Sequence, residues 1–250
     1  MTRAALAPEL TLPPPYSSVR LREFGDAFAH AVALAPQRGA GTLVYVGRFD
    51  VAEFALVLEP TDPLYQARRV FYAGMTALAD ALAGIAPPET AIHIEWPDAL
   101  YVNWGLVGGG RLAWPRKVSE DEIPPWLVFG AVIRTASATG IDPGVTPDIT
   151  ALEQEGFAEI SSSHVVESFA RNFMQTLDAW QDRGFEAVTK SYFERLSSES
   201  GQHSEMDDNG DLLIHRATNE PNATNEPKRM PLVAGLARPS WLDIGNEGAS

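Results

Sequence analysis

Apolar positions along the chain switch between two periods, and the switches mark out its elements. Val19, Phe24, Phe28, Ala31, Val32 and Ala35 recur at helical spacing and predict a helix from about Ser18 to Ala35. Gly39-Ala40-Gly41 breaks that pattern. The runs Thr42-Leu43-Val44-Tyr45-Val46 and Phe54-Ala55-Leu56-Val57-Leu58 predict two strands. Asp62-Pro63 opens a helix, with Asp as N-cap and Pro in the first helical position. Its inward face is Leu64, Ala67, Phe71, Met75, Leu78 and Leu82, and Gly84 with Pro87-Pro88 ends it. Residues 91–96 predict a strand with Ile92, Ile94 and Trp96 on one face and His93 and Glu95 on the other. Residues 100–102 and 106–114 predict a hairpin about Asn103-Trp104-Gly105, and 126–135 a buried strand.

Further on, Ser163 is expected to cap an amphipathic helix through Phe169, Phe173, Leu177 and Trp180, stopping near Gly184. A second helix follows to about Leu196. Asp207-Asp208-Asn209-Gly210-Asp211 is a tight turn leading into the strand Leu212-Leu213-Ile214. Thr-Asn-Glu-Pro occurs at 218–221 and again at 224–227, a polar linker pattern. Beyond it Trp241-Leu242 is an apolar pair suited to docking back on the body. These elements predict an α/β (α+β) fold, a mixed sheet flanked by helices. The expected divisions are an extended lead-in (1–15), a main domain (16–185), a small C-terminal domain (186–216) and a flexible tail (217–250).

Composition narrows the chemistry. At 250 residues, 45% hydrophobic, the chain is able to bury a substantial core. The 33 acidic residues outweigh 19 basic ones to give a net charge of −14, which disfavours nucleic acid and anionic membranes as partners. The absence of cysteine excludes disulfides, thiolate zinc sites and a cysteine nucleophile. No run of about 18 apolar residues is present to span a bilayer. The first residues meet proline at Pro8, too soon for a signal peptide, so a cytoplasmic location is expected.

The richest stretch is Ile94-Glu95-Trp96-Pro97-Asp98-Ala99-Leu100-Tyr101-Val102-Asn103-Trp104-Gly105-Leu106-Val107-Gly108-Gly109-Gly110-Arg111-Leu112. It resembles the signature of the biotin/lipoate protein ligases, in which a strand ends in a KWPND-type turn and a hairpin carries a lysine before a small-residue segment. The frame fits without a gap, but the lysine position is Leu106 and the Asn-Asp pair reads Asp98-Ala99. The resemblance extends over about residues 15–140, and Asp207 to Leu213 is similar to a hairpin in the small SH3-like C-terminal domain of biotin ligases.

That resemblance implies a pocket for biotin or lipoate, ATP with magnesium as co-reactants, an acyl-adenylate, and transfer to a lysine on a biotinyl or lipoyl carrier domain. Cationic and N–H donors must offset the charge of a carboxylate and an α-phosphate brought together. Gly39 and Gly41 stand as the counterpart of the adenylate-wrapping loop, without its arginines. Arg111 and Lys117 are the candidates to replace the lysine. For Arg111 this needs a bulge within Gly108-Gly109-Gly110, because alternation alone turns it to the opposite face. Arg48, Arg116 and Arg134 are further cations, and Trp96, Asp98, Asn103, Leu106 and the three glycines complete the expected lining.

Each residue also has a plainer reading. The glycine run is by itself more often a bulge or turn than an anion cradle. Trp96 and Trp104 are core or rim aromatics, and Asp98 a turn cap. His93 and Glu95 make too few ligands for a metal site, and His164, His203 and His215 have no partner by spacing. Two functions stay open: a divergent ligase or acyltransferase, and a non-catalytic acyl- or acyl-carrier-binding module on the same fold.

Overall fold

The computed structural model describes residues 10–137, 148–157, 160–197, 202–216 and 226–243. Seven strands form the main sheet: β1 (Ser17–Leu21), β2 (Thr42–Val46), β3 (Val51–Leu58), β4 (Ile92–Glu95), β5 (Ala99–Val102), β6 (Gly105–Ala113) and β7 (Leu127–Arg134). Their order is β1-β2-β3-β7-β6-β5-β4, with β1 and β2 parallel and every other pair antiparallel.

One face of the sheet, the back, carries the large core. Leu43, Phe54, Leu56, Phe129, Ile133, Val107 and Leu112 pack there against α3 (Val70–Ala83), α4 (Ser162–Arg183) and α5 (Phe185–Arg195). Helix α3 is buried on almost every side, and a side chain on Gly74 would run into the Phe129 ring. On the front face, α1 (Ala27–Leu34) covers β2, β3 and β7 through Ala27, Ala31, Val44, Ala55 and Val128.

A second, three-stranded antiparallel sheet joins β8 (Gln202–Met206), β9 (Leu212–Arg216) and β10 (Lys228–Met230). Two short helices, α6 (Leu232–Leu236) and α7 (Ser240–Asp243), then bring the chain back over the turn after β4. So 228–243, within the segment expected to be a flexible tail, forms regular elements. Helix α5 contributes Val188 and Tyr192 to the main core, against which Met206 of the small sheet also packs. The Thr-Asn-Glu-Pro repeats fall mostly outside the described residues.

Three local expectations change. The helix predicted from Ser18 is a strand, a turn and a shorter helix. Phe24, which extended the helical spacing, is 100% exposed in the turn, and Asp26 caps α1 by accepting a 2.8 Å bond from Ala29 N–H. Asp62 makes no capping bond; the helix opens as a single turn, α2 (Leu64–Ala67), before Arg68-Arg69 and α3. The cap of α4 is Ser161, two residues before Ser163, accepting from His164 N–H at 3.1 Å. The predicted inward face of the α2–α3 segment is buried throughout.

Candidate functional site

The β5–β6 hairpin turns through Asn103 and Trp104, both with positive φ (46° and 72°), as a two-residue connection requires. Asn103 fixes the turn from both ends of its amide: Oδ1 accepts from Ala91 N–H at 3.1 Å and Nδ2 donates to Glu155 at 2.9 Å. Trp104 stays 75% exposed, with its ring 4.7 Å from that of His93.

The strand that follows carries a bulge. Tyr101 pairs with Leu106 but Leu100 pairs with Gly108, so Val107 is the extra residue. It lies one position before the glycine run where the sequence placed it, with the expected effect on parity. Leu106, Gly109 and Arg111 all face the front, while Val107, Gly110 and Leu112 face the back. The three glycines answer to three different neighbours. Gly108 has φ 151°, and a Cβ there would meet the Val132 carbonyl; one on Gly109 would meet Trp241 and the Asp98 carbonyl; one on Gly110 would meet Met75 of α3.

Around Gly109 the front face holds a small constellation. Gly109 pairs with Val132 of β7. Two residues along β6 is Arg111, and two along β7 is Arg134, so the arginines flank the pair on one face. Arg111 lies over the Phe28 ring at 4.2 Å and donates to Asp26 at 3.2 Å, while its buried Nε has no partner among the described residues. Arg134 has a buried Nη1 in the same condition. Burial pushes both guanidinium pKa values down from their ordinary value; Asp26 and Glu53 oppose this at Arg111, and no carboxylate does at Arg134. Both are therefore places where an anion would replace missing solvation.

Asp98 is fully buried at the other side of Gly109. Burial raises its pKa to about 6, against the hydrogen bonds it accepts from Ser240. These come from Ser240 Oγ at 2.7 Å and Ser240 N–H at 3.1 Å. The next residue, Trp241, is 2% exposed, packs with Ala99 and Leu106, and donates from Nε1 to the Gly110 carbonyl at 3.1 Å. The chain's own α7 thus covers the glycine strand.

The remaining candidates stand elsewhere. Gly41 N–H donates to Val57 O, level with Val128 and Ala113, at the far end of the strands from Arg134 and Leu106. Gly39 lies just before it, and exposed Lys117 and Arg116 follow β6 at that same end, so these four do not join the constellation. Arg48 sits at the near end, but Asp50 holds it through two bonds of 2.9 and 2.6 Å. Trp96 points to the back and donates to Tyr72 Oη at 3.2 Å. His203 and His215, unpartnered by spacing, pair directly across β8 and β9 with Glu205 at 3.3 and 3.5 Å. Among the described residues no group of three or more His, Asp or Glu is arranged to hold a metal. Arg229 bridges Asp207 and Asp211 of the acidic turn. Ser240 and Trp241 are absent from the sequence-derived site; the signal for them was Gly109, whose missing side chain makes room for an indole.

A mixed sheet with helices packed on its back and a glycine-rich hairpin among its strands defines the biotin protein ligase class of fold. The sequence profile of the Biotin/lipoate A/B protein ligase family matches residues 12–194, and the chain belongs to that family. A biotin protein ligase-like protein of unknown function from Silicibacter sp. TM1040 superposes with a TM-score of 0.76 at 26% identity, over 92% of this chain and 100% of that one. The biotin protein ligase of Aquifex aeolicus gives 0.65 at 14% identity, over 86% and 95%. Its complex with biotin and ATP gives 0.63 at 14%, over 85% and 94%. No curated protein matches the sequence. No described helix is long and apolar enough to cross a membrane.

Proposed function

We propose that this chain binds a biotin, lipoyl or medium-chain acyl compound on the front of its sheet and holds it without activating it. Leu106 carries this reading. Where the ligase signature has a lysine, a branched apolar side chain is fully buried against Ala99 and Trp241. A neutral group there provides no bridge between a carboxylate and an α-phosphate. Arg111 and Arg134 flank the Gly109–Val132 pair, and each has a buried guanidinium nitrogen without a partner among the described residues, which suits a carboxylate. Gly39, Gly41 and Lys117, which adenylate chemistry would recruit, lie at the far end of the strands. The Aquifex ligase crystallised with biotin and ATP supports the kind of ligand.

A second reading keeps ligase-like activity, with ATP, magnesium and a biotinyl or lipoyl carrier domain. The bulge at Val107 favours it, because it turns Arg111 to the face of Leu106. Calorimetric titration with biotin, lipoate and octanoate, each with and without ATP and magnesium, separates the two when followed by mass spectrometry for acyl-adenylate. Binding of an acid with no adenylate is the expected result. Adenylate formation would overturn it in favour of the second reading, and Arg111→Ala should then abolish turnover. No binding of any acid would remove the acyl ligand from both.

A further inference from the structure

The β5–β6 turn puts its largest side chain where the backbone least tolerates one. A two-residue connection of this kind needs positive φ at both positions; asparagine accepts it, and glycine is the residue that meets the second without strain. Here the second position, φ 72°, is Trp104, and its ring is 75% exposed. Burial therefore returns little for that strain. What the turn does achieve is a cluster of rings. His93 and Tyr101, cross-strand partners on β4 and β5, stack at 5.1 Å with 12° between their planes, and Trp104 leans on His93 at 4.7 Å. Asn103, bonded to Ala91 N–H and to Glu155, fixes the turn that carries the indole.

The charges around these rings have one sign. Glu95, Asp98 and Asp148 are the charged groups acting on His93 and Tyr101, and Glu155 stands at the turn itself. Burial holds the His93 pKa below its ordinary value, against Glu95, so the imidazole brings no opposing positive charge at neutral pH. An indole face among carboxylates attracts a cation. A guanidinium suits it better than an ammonium, because it is planar and lies on the ring while its N–H fork reaches a carboxylate. An open ring holds a free ion poorly, so the cation has to arrive on a larger body that adds contacts of its own. We propose that the Trp104 ring, on its His93–Tyr101 stack and among these carboxylates, is a docking point for an arginine of a partner protein. It lies on the outermost strands, β4 and β5, apart from Arg111 and Arg134 on β6 and β7, and does not depend on whether an acid binds beside Gly109.

The probes are short peptides of alternating glycine and arginine, with lysine or citrulline replacing arginine in two controls; citrulline keeps the planar group and loses its charge. Each is titrated by NMR into the nitrogen-15-labelled full chain. The indole N–H signal of Trp104, one of six, is identified by its absence from Trp104→Gly, a variant that suits the backbone of the turn. The arginine peptide should shift that signal and bind about ten-fold or more tighter than the citrulline peptide, the size of a partly desolvated cation–π contact. It should also bind more tightly than the lysine peptide, and less tightly as sodium chloride rises from about 0.02 to 0.3 M. Trp104→Gly should lose the preference for arginine over citrulline. Glu95→Gln with Asp148→Asn, which keeps the ring and removes two carboxylates, should weaken binding and flatten its salt dependence. Equal binding of the arginine and citrulline peptides would overturn the cation, and equal binding of arginine and lysine the guanidinium. Undiminished binding by Trp104→Gly, or no shift of the Trp104 signal at any peptide concentration, would overturn the docking point.

Discussion

Asp98 is a carboxylate with no cation beside it among the described residues, and its burial under Ser240 sets how the molecule responds to pH. Its pKa is about 6 in the folded chain against an ordinary 3.8. Above about pH 6 the folded state bears the full cost of the buried charge. As pH falls toward 3.8 the folded state takes up its proton before the unfolded chain does, so this group's contribution to stability rises. Asp98→Asn should therefore stabilise the protein near pH 7.5, by at most about 3 kcal/mol at about 1.36 kcal/mol per pH unit. The gain should shrink toward pH 4. Urea midpoints of the two proteins measured across that range check it, and parallel curves would mean that Asp98 is not the titrating group.

Leu106 is equally exacting. Leu106→Lys puts a cation into a wall made by Ala99 and Trp241. The expected outcome is a loss of about 3–5 kcal/mol, the usual scale for an uncompensated buried charge, or release of the indole to let the ammonium reach water. Thermal melting and a red shift of tryptophan emission distinguish these from a neutral replacement, which would leave both unchanged.

At the scale of elements, capping offers a paired comparison. Ser161 makes its cap bond to His164 and Asp62 makes none. Ser161→Ala should lower stability by about 1 kcal/mol, whereas Asp62→Ala should change it little; equal losses in urea melts would contradict the assignment. The same contrast shows what the sequence reveals and what it hides. Strands β2, β3, β4 and β7 and the buried face of α3 are legible because their apolar period is set by one packed surface. The first helix is not, since the exposed ring of Phe24 mimics a buried position and β1, an edge strand, has a largely exposed face. The bulge is legible in kind because adjacent glycines relax the pairing. Its position at Val107 is a fact of register, fixed by how β6 pairs with β5 beyond the turn, with Tyr101 on Leu106 and Leu100 on Gly108.

For the whole molecule, a net charge of −14 opposes the compact state. Raising sodium chloride from about 0.02 to 0.3 M, a range over which the Debye length falls well below 30 Å, should raise the urea midpoint. A fall would show that ion pairs such as Arg68–Glu120 and Arg195–Asp80 outweigh the general repulsion. The candidate site was only half legible for a reason that also belongs to this scale. Its floor is one continuous run, Asp98 to Arg111, and announces itself. Its cover comes from Ser240 and Trp241, and its flank from Asp26 and Phe28, which sequence order scatters and only the wound chain assembles beside Arg134, itself named from the sequence.

That scattering has a consequence for synthesis. Trp241 reaches the Gly110 carbonyl across 131 residues of chain. At about 5–20 residues per second a ribosome takes roughly 7–26 s to travel from one to the other. Throughout that interval Ala99 and Leu106 are made but lack their lid, and the acceptors at Asp98 and Gly110 are open to whatever is nearby. A newly made chain therefore leaves this part of its front face uncovered until Ser240 and Trp241 have been made.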